Sequence, residues 1–599
     1  MDRAGRWTNV ALAAALAASL ARAQTTERVS VDSSGAQGNS WTDYTSSISA
    51  DGRFVAFSSD ASNLVAGDTN GVTDVFVHER QSGVTERVSV STDGAQGNSA
   101  SSHPSISADG RFVAFSGEAS NLVAGDTNGW SDVFVRDRRL GTTERVSVAT
   151  GGAQGNLNSC CPTISADGRS VAFLSGAWNL VPGDTNGFQD VLVHDLRSGT
   201  TERASVATGG TEGNDNSGGL GVSISADGRF VAFSSDASNL VANDTNAVSD
   251  IFVRDRQGGT TERASVDAGG AQGNFSSWGT SISADGRFVA FASGASNLVA
   301  GDTNAAWDIF VRDRRSGAIE RVNVSTEGAE GNANCLGPSI SADGRFVAFW
   351  GDASNLVAGD TNITDDVFEH DRLSGTTERS SVATGGAQAQ AQSESEEPVL
   401  SADGRYVAFY STASNLVPGD TNQVSDIFER DRGLAFFLAS CFGNGTEALC
   451  PCFNLGLLGH GCENSSGTGG ALLSGSGNPS LSTDTFVLSS AGEKPTALSI
   501  FLQGSALVPH VVFGDGLRCA GGTLERLFFV EHASGGVATA PQAGDPSVSA
   551  RSAALGDVLA VGAMRHYQTY YRDPDPAFCP SPQGNTWNVS NALSAVWNP

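Results

Sequence analysis

The 599 residues hold few of the signatures that announce a membrane protein or an enzyme. After residue 23 no stretch approaches the roughly 18 consecutive apolar residues of a spanning helix, and no cysteine follows the early apolar segment to take a lipid anchor. No G-x-S-x-G elbow and no H-E-x-x-H occur, and none of the 8 histidines pairs with another at helical ligand spacing. Basic residues are short as well: 36 Lys and Arg face 65 Asp and Glu, a formal charge of −29. Such a surface repels phosphate backbones and anionic lipid, and attracts divalent cations and cationic partners, so nucleic-acid binding is set aside. Cysteine is nearly absent from the first 440 residues, where only Cys160, Cys161 and Cys335 stand.

The N-terminus reads as a secretory signal. Arg3 and Arg6 precede an apolar run from Val10 to Leu20, and Ala21-Arg22-Ala23 stands before Gln24. Residues 1–23 are expected to be removed, leaving a secreted or periplasmic product with disulfides in reach.

The dominant feature beyond it is a repeat. I-S-A-D-G-R recurs with its isoleucine at 48, 106, 164, 224, 282 and 340, and Leu400 opens a seventh copy, at spacings of 58 to 60 residues. That length suits a four-stranded propeller blade with one long loop better than a helical repeat. In the second copy the strand candidates are Pro104–Ser107, Phe112–Ser116, Asp132–Asp137 and Thr143–Val148. The middle two are apolar on both faces, as strands covered by neighbouring blades must be, and the fourth alternates, as an outer strand does. The seventh copy ends after Asp426–Arg432 without its fourth strand, while an unpartnered T-T-E-R-V-S-V stands at Thr25–Val31. The N-terminal strand is therefore expected to complete the last blade and close the ring.

The string S-x-S-A-D-G-R-x-V-A-F followed by D-[VI]-F-x-x-D-R resembles the TolB-like, WD-related propeller repeats of exported bacterial proteins, over residues 25 to 432. The resemblance implies a rigid ring with a central channel and partner binding through loops, and it transfers no catalytic residue. The expectation is an all-β chain with a seven-bladed β-propeller at 24–432 and a separate C-terminal domain at 433–599.

Two constellations stand out on the loops. The loop between the second and third strands repeats A-x-N-L-V-x-x-D-T-N-x-x-x-D. It places together Asp68, Asn70 and Asp74; Asp126, Asn128 and Asp132; Asp184, Asn186 and Asp190; Asp244, Asn246 and Asp250; Asp302, Asn304 and Asp308; Asp360, Asn362 and Asp366; and Asp420, Asn422 and Asp426. Two carboxylates and an amide oxygen within seven residues are hard-oxygen ligands of the calcium type, and the spacing looks like a shortened calcium loop lacking its third acid. Turn capping by Asp and Asn explains the same pattern without a metal. Both readings stand at this point, with calcium the one cofactor in view.

The second constellation comes from comparing the copies with one another. Tyr44, His103, Trp130, Phe188, Trp278 and Trp307 replace smaller or different residues at equivalent loop positions, as a peptide or sugar platform or as plugs between blades. Paired acids such as Glu394, Glu396 and Glu397 read as a solvated acidic loop.

In the C-terminal part, Cys441, Cys450, Cys452, Cys462, Cys519 and Cys579 are even in number in an exported chain, so three disulfides are expected; zinc at the C-x-C is the lesser reading. Strand candidates at Asp484–Ser490, Thr496–Leu502, Val508–Phe513, Leu524–Glu531, Ser547–Ser552 and His566–Arg572 suggest a disulfide-rich β-sandwich. The stretch is similar to an uncharacterised C-terminal module of secreted environmental bacterial proteins. The functional expectation is a non-catalytic extracellular or periplasmic scaffold binding a protein or glycan through its loop rim. The alternative is a propeller enzyme, a hydrolase or lyase, acting on extracellular polysaccharide.

Overall fold

The computed structural model describes the chain except residues 1–23, 391–392, 434–436, 441–460, 463, 467, 469, 477–478, 480, 482–483, 495–496, 514–515, 531–535, 543, 561–562, 574–586 and 598–599. The signal expected at 1–23 thus lies outside the described residues. The chain divides into two compact units, one of them Gln24–Arg432 and the other containing Gly433–Pro599. No helix among the described residues is long and apolar enough to cross a membrane.

Unit Gln24–Arg432 is propeller-like and all β, with seven four-stranded antiparallel sheets. In the second sheet the strands are Ser101–Ile106, Phe112–Gly117, Asp132–Asp137 and Thr142–Arg145. The two middle strands are almost wholly buried, in keeping with their Val-Ala-Phe and Val-Phe-Val runs. The fourth strand is shorter than its sequence suggests. After Arg145 the chain leaves the ladder: Ser147 turns its hydroxyl onto the Val133 N–H, and Val148 makes an isolated bridge to Gln154.

Each sheet docks on the next through its A-D-G-R hairpin. Gly110 has φ +70°, a conformation glycine adopts without strain, and a Cβ there would lie 2.2 Å from the Phe54 ring of the preceding sheet. The Phe54 ring is covered by the guanidinium of Arg138, 4.5 Å from its centroid, and by that of Arg53 at 4.8 Å. The hairpin arginine itself pairs within its own sheet, as Arg111 Nη2 does with Asp137 Oδ2 at 2.6 Å. Backbone bonds run from hairpin to hairpin, Ala50 N to Ala108 O, Ala108 N to Ala166 O and onward, until Ala402 N donates to Ala50 O at 3.0 Å. The relay returns to its start.

The missing fourth strand is supplied from the N-terminus. Thr25–Arg28 pairs antiparallel with Asp426–Asp431, with Thr25 opposite Asp431 and Arg28 opposite Phe428. Val29 continues into the core between the last and first sheets. Two buried ion pairs belong to this region alone. Glu429 stands where Val77 and Val135 stand in the first two sheets, and takes Arg80 Nε of the first sheet at 2.9 Å; Glu369 takes Arg432 of the seventh.

The C-terminal unit contains a sheet ordered Phe437–Ser440, Ala592–Val596, Met564–Arg572, Ser499–Phe513 and Gly516–Val530, with Trp587–Val589 paired to Met564–Arg572. A second sheet holds Leu472–Ser476, Val487–Ala491 and Val537–Ala540. Phe501, Tyr567, Tyr571, Leu593 and Trp597 from the first meet Leu473, Leu488 and Ala538 from the second in one core. Two sequence expectations are corrected. Residues 499–502 of the candidate at 496–502 and Val508–Phe513 of the next belong to one long strand, Ser499–Phe513, whose ladder is interrupted by register shifts. Ser547–Ser552 is not a strand: Val548–Ala554 is a helix capped by the Ser547 side chain accepting from Ala550 N–H, and its alanines favour that form. Cys462 and Cys519 are buried and each is disulfide-bonded. Cys441, Cys450, Cys452 and Cys579 lie outside the described residues.

Candidate ligand-binding rim

In every sheet the start of the first strand, the end of the second and the start of the third lie side by side, as Thr42, Ser59 and Asp74 do in the first. The D-T-N-x-x-x-D loops and the loops entering each copy therefore share one rim.

Along this rim the acidic loops are closed by arginine. Arg145 Nη1 lies 2.9 Å from Asp126 Oδ1 and 3.1 Å from Asp132 Oδ2, so a single nitrogen bridges both carboxylates. Asp132 Oδ1 accepts from the Ser147 hydroxyl at 2.5 Å. The Asn128 amide donates to Asp132 Oδ2 at 2.9 Å and to the Gly155 carbonyl at 3.1 Å, while its oxygen accepts from Trp130 N–H. The same clamp recurs as Arg28 with Asp420 and Asp426, Arg87 with Asp68 and Asp74, and Arg203 with Asp184 and Asp190. It recurs again as Arg263 with Asp244 and Asp250, Arg321 with Asp302 and Asp308, and Arg379 with Asp360 and Asp366. Burial pushes the carboxyl of the first Asp of each pair above its ordinary value despite the arginine, at Asp68, Asp126, Asp184, Asp244, Asp302, Asp360 and Asp420 alike.

This donor set does not fit calcium as it stands. The guanidinium takes the place between the carboxylates that a cation would need, and Asn70, Asn128, Asn186, Asn246, Asn304, Asn362 and Asn422 each turn an amide N–H₂, not a free oxygen, toward a backbone carbonyl. Among the described residues no group of three or more His, Cys, Asp or Glu is placed to hold a metal.

The first strands carry a bulge at the rim, and there the copies differ. The left-handed position is glycine in three sheets, Gly279 among them, but His103 (φ 53°), Cys161 (φ 55°) and Glu397 (φ 49°) in others. Non-glycine residues in that region cost of order 1–3 kcal/mol and concentrate at functional surfaces. His103 Nδ1 lies 2.8 Å from the Ser102 hydroxyl. Cys160 and Cys161 are free thiols with sulfurs 2.8 Å apart. Burial, reinforced by neighbouring carboxylates, pushes Asp365 up to about 6 and Glu396 up to about 7.

The five rim aromatics and His103 do not converge on one site. Trp278 and Trp307, both of the fifth sheet, stack with centroids 4.7 Å apart and planes at 25°. Phe275 meets Trp307 edge-on at 6.0 Å. Tyr44 packs against Tyr410 of the seventh sheet, with centroids 4.6 Å apart and planes tilted by 38°. Trp130 is 41% exposed on the second sheet and Phe188 is half-buried on the third. Sequence comparison missed Phe275, Tyr410 and the exposed Trp41 and Trp178. The signal for Phe275 was Gly294, where a Cβ would come within 2.6 Å of its ring. Between the fourth and fifth sheets the rim holds a cavity of about 310 Å³ lined by Asn216, Gly219, Ser235, Asp236, Ser249 and Trp278.

No family model matches this sequence, and no curated protein matches it. Among solved structures it is similar to TolB from Acinetobacter baumannii, at 15% identity and TM-score 0.30, over 51% of this chain and 58% of that one. An oligogalacturonate lyase in complex with manganese gives 13% identity and TM-score 0.40, over 68% and 96%. An acylaminoacyl peptidase of Pyrococcus horikoshii gives 10% identity and TM-score 0.37, over 63% and 50%. These likenesses include TolB proteins and enzymes alike, and no site residue, activity or partner is carried over from them.

Proposed function

We propose that the chain is an exported, seven-bladed TolB-like propeller that binds a protein or glycan partner through this rim without transforming it. One contrast supports the reading. The polar groups repeated in all seven sheets are spent on holding the frame, whereas the residues that differ between sheets gather at the rim and include stacked and exposed aromatics. Rigid frames with variable edges suit recognition, and aromatic anchors commonly dominate it. The seven arginine clamps make the acidic loops structural in this reading.

A second reading, a propeller enzyme acting on polysaccharide, draws on Asp365 and Glu396, two rim carboxyls held above their usual range as a general acid requires. Incubating the purified protein with extracellular glycans and secreted proteins separates the two. Capture without product is expected; release of shortened or unsaturated oligosaccharides would overturn the scaffold reading.

A further inference from the structure

We infer that the cavity between the fourth and fifth sheets is a subsite for one neutral pyranose unit of a glycan, with the Trp278–Trp307 stack as its platform. The inference rests on the rim-binding reading above and names the ligand class for one part of that rim.

Three observations carry it. First, the aromatic surface is flat and presented. Trp278 and Trp307 lie 25° from coplanar, Phe275 braces Trp307 edge-on, and Trp278 both lines the cavity and is 37% exposed. The negative face of an indole favours the weakly positive C–H face of a sugar ring. Second, the wall opposite is polar and has bonding capacity to spare. In the first sheet the equivalent acid and hydroxyl satisfy one another, Thr73 Oγ1 donating to Asp60 Oδ1 at 2.5 Å. In the fourth sheet Asp236 and Ser249 occupy those places, both line the cavity, and neither side chain has a hydrogen-bond partner among the described residues. A carboxylate accepting from sugar hydroxyls and a serine hydroxyl that both donates and accepts complement a polyol. Third, room has been made. The first strand of the fourth sheet, Ser217–Ile224, is two residues longer than those of the third and fifth and carries a Gly218-Gly219 pair, of which Gly219 contributes no side chain to the wall. The volume of about 310 Å³ lies at the small end of ligand sites, suited to one ring and not to a folded peptide segment.

Charge selects among sugars. The lining holds one carboxylate and no cationic side chain, on a protein of formal charge −29, so uronates and sulfated sugars are disfavoured.

Titration calorimetry and tryptophan fluorescence with the full-length protein would test this. The probes are neutral gluco-, manno- and galacto-configured oligosaccharides, with polygalacturonate and a random peptide mixture for comparison. At least one neutral series should bind and perturb tryptophan emission. Trp278→Ala and Asp236→Asn should each weaken that binding by about tenfold or more, with Leu140→Ala as the neutral surface control. Circular dichroism of each variant guards against misfolding, and Asp236→Asn keeps the test open should Trp278→Ala fail to fold. The inference is overturned if no neutral series binds, if polygalacturonate or peptide binds in its place, or if both variants bind as the parent does. Cleavage of the bound glycan would instead overturn the scaffold reading and leave the subsite standing. Capture of a protein partner indifferent to both variants would do the reverse.

Discussion

Replacing Arg28 by methionine tests the closure of the ring and the meaning of the acidic loops together. The Arg28 side chain is 9% exposed, and the Asp420 and Asp426 side chains that share its Nη1 are 4% and 1% exposed. Methionine preserves much of the bulk but leaves two buried carboxylates without their cation, a loss of about 3–5 kcal/mol against a typical total of about 5–15. Arg145→Met removes the same clamp from Asp126 and Asp132 and should cost as much. The consequences differ because Thr142–Arg145 follows Asp132–Asp137 along the chain, whereas Thr25–Arg28 has no such tether to the strand it pairs with. Arg28→Met should therefore release an edge at Asp426–Asp431 and scatter light as concentration rises, while Arg145→Met should only unfold earlier. Burial already holds Asp420 above its ordinary value, and losing Arg28 raises it further, so the variant's deficit should shrink as that carboxyl protonates from pH 7 toward pH 4. Urea unfolding at both pH values, with static light scattering, reads all three effects. A midpoint equivalent to within about 0.5 kcal/mol of the parent, or equal scattering from both variants, would refute the reasoning. Adding millimolar calcium to the parent should leave its midpoint unchanged; a calcium-dependent rise would show that the carboxylates exchange arginine for a cation and would return the loops to the role of metal sites.

Gly110→Ala should cost about 3 kcal/mol, combining a left-handed backbone with a Cβ driven into Phe54, whereas Gly125→Ala, left-handed but facing open space, should cost about 1; thermal melts of the pair separate the two contributions. Glu369, Glu396 and Glu429 are held by burial at about 7, 7 and 8, so the folded form binds their protons more tightly than the unfolded chain. Their contribution is complete below about pH 4.5 and is lost as pH rises through 7 to 8, while Asp255 and Asp313, held at about 2 by their arginine partners against burial, lose theirs only in stronger acid. Stability of the Gln24–Arg432 unit should thus peak near about pH 4–6, and Glu429→Gln should flatten the alkaline fall. Peptide mapping without reduction should find three disulfides within residues 441–599, and reduction should destabilise that unit by about 2–5 kcal/mol per bridge; free thiols at most positions would remove the expectation.

The sequence declared the frame because each repeated residue does one geometric job seven times. A glycine in A-D-G-R is required by a neighbouring ring, and the orphan T-T-E-R at residue 25 is identifiable as a fourth strand because six intact copies show what the seventh lacks. The arginine clamps repeat just as regularly in the sequence, but nothing local to either motif joins them. Arg87 stands 13 residues after Asp74, and the same interval separates Arg145 from Asp132, but within its own segment the arginine is only the polar half of an alternating strand and the aspartate only a turn cap or a calcium ligand. Treating each motif as a local unit hid a pairing that exists only once the fourth strand lies beside the third. The helix at Val548–Ala554 was misread for a related reason: a seven-residue segment carries too little periodicity to tell helix from strand, and its serine cap is informative only when its hydrogen bond is known.

The rim aromatics obey a different rule, because they do not repeat from sheet to sheet. Trp278 and Trp307 are 29 positions apart and meet across the fifth sheet only because a bulge in one strand and the loop before another bring their rings to the same edge. Asp236 is Asp60 in another sheet, and the two differ in what stands opposite: Thr73 completes a hydrogen bond in the first sheet, while Ser249, one methyl smaller, leaves it unmade in the fourth. A substitution of threonine by serine reads as conservative in a sequence. Beside an inserted glycine pair it converts a self-satisfied turn into an open wall with a carboxylate and a hydroxyl to offer. Binding capacity on a repeat protein of this kind therefore resides where one sheet leaves unmade a hydrogen bond that an equivalent sheet makes, and such differences can be found only by comparing the sheets as folded objects.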